Sequence, residues 1–213
     1  WRGAYVYVND LEGKVTKINL SNNTKGIDES GNLADNVTEL YDQTTLFRLN
    51  ASEENGRYSY FSMDAGIGVS DGGFWLFGST GNYTDLGARQ EGLDNILYGV
   101  QDKHWPYWKH LNGVKIPKPA TNVAIATATT VGNVDINPDF IRLTHKGANN
   151  AYNVFDATVC INVSGDKDGA NCPIPDDAVA WVIHLEQNSS GQFTLPRTFR
   201  KASASPTLFK GQV

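Results

Sequence analysis

The chain has 213 residues, 40% hydrophobic and 11% aromatic, with 18 basic against 23 acidic side chains and a net charge of −5. So many rings need a core, which argues against a disordered tail. No apolar run is long enough for a transmembrane helix, and the acidic balance argues against a nucleic-acid footprint or a polybasic membrane patch.

Glycine (21) and asparagine (20) are abundant and methionine is single. Both abundant types favour turns and disfavour helices, so the composition reads as all-β with many turns. Residues 4–9 predict a strand, Asp10-Leu11-Glu12-Gly13 a tight turn, and Lys14 to Leu20 the return strand of a hairpin. In that return strand the apolar positions are 15, 18 and 20, an imperfect alternation. Residues 21–38, rich in Asn, Ser, Asp and Gly, predict a long exposed loop. Short strands are expected at Thr45 to Leu49 and Arg57 to Met63. The turn Asp71-Gly72-Gly73 then feeds Phe74 to Gly78, an apolar run expected to be central and buried on both faces. Leu97 to Val100 follows as another strand.

An irregular insertion is expected around 102–122, where prolines and the run His104-Trp105-Pro106-Tyr107-Trp108 interrupt any strand pattern. Further strands are expected at Ala124 to Val131, Phe140 to Thr144, Ala157 to Val163 and Ala178 to Leu185. After the last comes a loop through Asn188 to Gly191 and a return near Phe193 to Leu195. Another hairpin begins at Ser205 to Phe209 and stops in mid-strand, so residues 1–213 read as one segment of a longer chain. Strand–turn–strand units with D-x-x-G and D-G-G turns fit β-propeller blades, and a sandwich fits nearly as well on pattern alone.

Several residues carry candidate chemistry. Cys160 and Cys172 are the two cysteines and flank a turn-rich loop, which suits a disulfide and an oxidising compartment. Closing so short a loop contributes at most roughly 3 kcal/mol in the chain-entropy model. Inside that loop, Asp166 and Asp168 alternate before Gly169 like the front half of a calcium loop. No Glu closes it and Lys167 sits between the acids, so affinity no tighter than roughly 10⁻⁴ to 10⁻³ M is expected and no cofactor is required. Trp105, Tyr107 and Trp108 could stack on a sugar ring or anchor a partner; equally, they could cover a sheet edge. Gly66-x-Gly68 and Gly78 to Gly81 precede no amphipathic helix and do not make a phosphate loop. The four histidines are scattered, and His184, on an apolar strand, reads as a packed or exposed residue rather than a ligand. No nucleophile-and-base motif occurs.

The hairpin Tyr5-Val6-Tyr7-Val8-Asn9-Asp10-Leu11-Glu12-Gly13-Lys14-Val15-Thr16-Lys17-Ile18-Asn19-Leu20 resembles the blade motif of PilC/PilY-type proteins of the type IV pilus. Phe74 to Tyr83 is similar to that family's G-T-G-K-Y strand and loop, and Leu97 to Asp102 to its Y-G-x-W-D strand. Arg200 to Val213 resembles its late strand pair. The matched stretches occur in the family's order and cover under half of the chain. Thr16 stands where the motif has Trp, and the family's run of calcium-binding Asp residues has no counterpart ahead of Tyr5. The resemblance implies a non-enzymatic β-propeller module at the pilus tip, outside the cell, supporting pilus assembly and adhesion. Its implied partners are minor pilins, the pilus fibre and a host or abiotic surface ligand. The alternatives are a quinoprotein-type propeller dehydrogenase, for which no acid-lined cofactor set is evident, and a carbohydrate-binding propeller.

Overall fold

Side-chain alternation and a tight glycine turn build the first element of the chain. The computed structural model describes residues 4–22, 24–68, 72–111, 141–143, 153–160, 178–187 and 192–207. Strands β1 (Tyr5–Asn9) and β2 (Lys14–Asn19) pair antiparallel, Tyr5 opposite Asn19 and Asn9 opposite Val15. The Asp10 carboxylate accepts the Lys14 amide at 2.8 Å and closes the turn. Gly13 there has φ of 75°, and a Cβ at that position would lie 2.6 Å from the Leu49 Cβ, so only glycine fits. The inward positions of β2 are 15, 17 and 19, a strict period of two. The apolar pattern is imperfect because Lys17 and Asn19 occupy buried positions.

The expected loop at 21–38 is instead largely a hairpin, β3 (Thr24–Ile27) and β4 (Leu33–Thr38). Asp28 nucleates its turn by accepting the Asn32 amide at 2.8 Å. Strand β5 (Gln43–Arg48) returns beside β2, and β9 (Ile141–Arg142) joins it in parallel. The first sheet therefore has the order β1-β2-β5-β9.

The second sheet contains β6 (Asp64–Ile67), β7 (Phe74–Ser79), β8 (Ile96–Asp102), β10 (Asn153–Asp156) and β11 (Ala178–His184). Its order is β10-β11-β8-β7-β6, antiparallel except for the β10–β11 pair. The central strand is β8; β7 lies next to the edge strand and keeps Phe74, Trp75 and Phe77 only half-buried, contrary to the expected burial on both faces.

Two other expected strands, Arg57 to Met63 and Ala157 to Val163, are not formed among the described residues, which stop at 160 in the second. Residues 57–63 form no ladder: the Ser59 amide donates to Leu11 and the Tyr58 carbonyl accepts from Gly81, single bonds to separate loops. Ala157–Cys160 is a 3-10 turn, started by the Asp156 carboxylate accepting the Thr158 amide at 3.1 Å. Residues 205–207 are irregular. The strand expected at 124–131 and the end of the chain from 208 lie outside the described residues.

The two larger sheets share one core. Val15, Leu46, Phe47 and Leu49 come from the first sheet and its edge, and Leu76, Ile96, Tyr98, Val100 and Val182 from the second. Phe47 meets Tyr98 edge-on at 5.7 Å between ring centres. The described chain is thus all-β, with eleven strands in three sheets and no α-helix among the described residues.

Candidate functional site

The turn that leaves β8 carries the predicted aromatic cluster. Asp102 organises it: its carboxylate accepts the His104 amide at 3.2 Å and its carbonyl accepts the Trp105 amide at 3.0 Å. Trp105 stacks on Phe74 at 5.7 Å, and Phe74 stacks on Tyr7 at 5.2 Å. Trp105 is 37% exposed, whereas Trp108 is fully buried. Trp108 is held by the β3 backbone, its carbonyl accepting the Ile27 amide at 2.6 Å, and its ring packs against Tyr5 and His110. Of the three rings expected either to form a binding surface or to cover a sheet edge, Trp108 is a core residue beside the β3–β4 hairpin, Tyr107 is half-buried, and Trp105 is the most exposed.

Beneath Trp105 lies a buried ion pair that the sequence did not announce. Lys17 Nζ is 2.6 Å from Asp102 Oδ2, with both side chains at 2% exposure or less. The Tyr7 hydroxyl donates to the same oxygen at 2.7 Å, and Lys17 also donates to the Tyr107 carbonyl at 3.0 Å. The ammonium sits 4.3 Å from the Tyr5 ring centre and 5.8 Å from that of Trp108. Burial lowers the Lys17 pKa and outweighs the opposing pull of Asp102. Burial, reinforced by Asp102, raises that of the Tyr7 hydroxyl.

A second cluster joins three distant parts of the chain. Asp94 receives the Arg57 guanidinium, His184 Nδ1 at 2.8 Å and Gln187 Nε2 at 3.3 Å. Arg57, Asp94 and His184 side chains are each about 1% exposed. His184 is therefore packed, one of the two placements its apolar strand allowed. Burial would push the Asp94 carboxyl up, but hydrogen bonds and charge from His184 and Arg57 outweigh it and hold the pKa down. With the ions sealed from water, this cluster fastens the segment at Arg57 to β11. Nearby, Glu186 collects Thr198, Arg197 and the amides of Thr198 and Arg200. Against the upward effect of burial, the Thr198 hydroxyl and the amides of Arg200, Phe199 and Thr198 hold its pKa at about 2.

The pH dependence follows from these shifts. Burial, with Lys109 next in weight, lowers His104 from 6.5 to about 4. The unfolded chain therefore binds the extra proton first, and stability falls as pH drops from about 6.5 towards 4. Glu186, depressed from 4.5 to about 2, loses its contribution between those values, again on acidification. Urea midpoints measured across this range are expected to fall with acid, and His104→Gln to flatten the upper limb. An upper limb unchanged by that substitution would contradict the assignment.

Among the described residues, no group of three or more His, Cys, Asp or Glu is placed to hold a metal. Asp166 and Asp168, the proposed calcium ligands, lie outside the described residues, as does Cys172; Cys160 ends the 3-10 turn. No described helix is long and apolar enough to cross a membrane. No family model, curated protein or solved structure matches this chain.

Proposed function

We propose that this chain is a non-enzymatic β-propeller segment of a PilC/PilY-type protein, exported and presented at the tip of a type IV pilus. There it contacts minor pilins and the fibre and adheres to a host or abiotic surface. The observation that supports the reading is the antiparallel run β6-β7-β8-β11, four neighbouring strands within the five-stranded sheet, the number a blade would contain. Two of the motif-bearing stretches, Phe74 to Tyr83 and Leu97 to Asp102, place adjacent strands in that run, with Phe74 opposite Asp102. The motif-bearing β1–β2 hairpin belongs to the sheet that shares its core. On this reading the parallel strands β9 and β10 are additions to the blade plan. The Cys160–Cys172 disulfide suits the exported location, and calcium at Asp166 and Asp168 is a weak accessory.

Immunogold labelling of the producing cells with an antibody against this chain tests the reading. Label at fibre tips, together with loss of surface pili when the gene is deleted, is expected. Cytosolic label or normal piliation in the deletion strain would overturn it.

A carbohydrate-binding reading keeps one specific support, the half-open Trp105 ring backed by Phe74. Glycan binding abolished by Trp105→Ala is its test.

A further inference from the structure

We propose that Lys17 and Asp102 become joined by an intramolecular amide bond that ties the two larger sheets together. Lys17 stands in the middle of β2, and Asp102 ends β8, the central strand of the other sheet. Their reacting groups are already in contact at 2.6 Å, each almost wholly buried. Tyr5, Tyr7 and Trp108 surround the amine. Such surroundings penalise a pair of ions and favour an uncharged product. Fixed proximity replaces the bimolecular encounter that amide formation from amine and acid otherwise requires.

The other contacts fit the steps. One proton passes from Nζ to Oδ2 and leaves a neutral amine beside a carboxylic acid. Burial already biases Lys17 towards that neutral form. The amine lone pair attacks Cγ while charge gathers on Oδ1, which the His104 amide faces at 3.2 Å. A second proton moves from nitrogen to Oδ2, where the Tyr7 hydroxyl donates at 2.7 Å, and the Cγ–Oδ2 bond breaks. Oδ2 departs as water, Oδ1 becomes the amide oxygen, and one hydrogen stays on nitrogen. The Tyr107 carbonyl, 3.0 Å from Nζ, is placed to accept that hydrogen. No oxidant, reductant or co-reactant is consumed.

The test is the intact mass of the purified full chain, denatured and with its cysteines reduced. The expected mass is below the sequence mass by one water, with a branched proteolytic peptide containing both Lys17 and Asp102. Lys17→Met is expected to restore the full mass, and Tyr7→Phe to leave a large uncrosslinked fraction. A succinimide at an Asp-Gly step, such as Asp71-Gly72, loses water too, but it reopens in mild alkali and yields linear peptides. Full sequence mass after prolonged incubation overturns the proposal. So does a deficit that maps elsewhere or persists in Lys17→Met. The branched peptide is read in the parent chain, so the result stands even where a variant does not fold.

Discussion

Replacing Asp94 by alanine is expected to lower the stability of the fold by about 3–5 kcal/mol, the range for breaking one side of a buried ion pair. The loss comes less from the missing attraction than from what remains. The Arg57 guanidinium would be sealed from water without its carboxylate, keeping the carbonyls of Asp94 and Leu143 as acceptors. His184 would lose the acceptor of its Nδ1, and Gln187 an acceptor of its amide. Urea denaturation is the measurement, with Arg57→Met and the double variant completing a cycle. A double variant no less stable than either single one would show that the pair is coupled. A midpoint unmoved by Asp94→Ala would show the cluster to be dispensable.

Trp108→Ala is expected to cost about 3–5 kcal/mol as a large-to-small change in a closed core, whereas Trp105→Ala is expected to cost well under half as much. The two tryptophans are three residues apart in the chain, yet one is fully buried and the other is 37% exposed. Removing the Trp108 ring also strips a wall from the Lys17 site and its packing on Tyr5 and His110, while the backbone bonds of residue 108 to β3 remain. Thermal denaturation of both variants separates them. Equal losses would mean that Trp105 is as structural as Trp108, and the half-open ring would lose its standing as a contact surface.

These two clusters mark the boundary of what the sequence discloses. The β1–β2 hairpin is legible because Asp10 and Gly13 supply turn chemistry and strand-like runs flank them, despite the imperfect apolar alternation of the second. So are β8 and β11, whose apolar runs match their burial. The β3–β4 hairpin is hidden, since Lys25, Asp35 and Asn36 make its strands as polar as a loop. Arg57 to Met63 has strand-like composition, but its long-range backbone bonds, at Tyr58 and Ser59, go singly to separate loops. Neither buried cluster could be anticipated. Lys17 with Asp102, and Arg57 with Asp94 and His184, are assembled by tertiary packing of strands and loops from residues that share no local spacing. The one available signal was Lys17 itself, a charge falling on the inward phase of a strand. The aromatic cluster was legible as a cluster, but which ring faces water depends on the path of the β3 backbone beside Trp108.

The place of β11 beside β8 has a consequence for how the chain acquires its structure. Between Asp102 and Ala178 a long stretch of sequence must be made before β8 gains its second neighbour. Until then, one rim of the strand carrying Ile96, Tyr98 and Val100 offers unpaired amides and carbonyls among apolar side chains. Pairing across so large a separation is slow, because loop closure precedes any gain from contact. A chain interrupted before Ala178 would carry that sticky rim permanently. Such truncations are expected to partition into aggregates, and the interval before β11 arrives is when the intact chain most needs a chaperone.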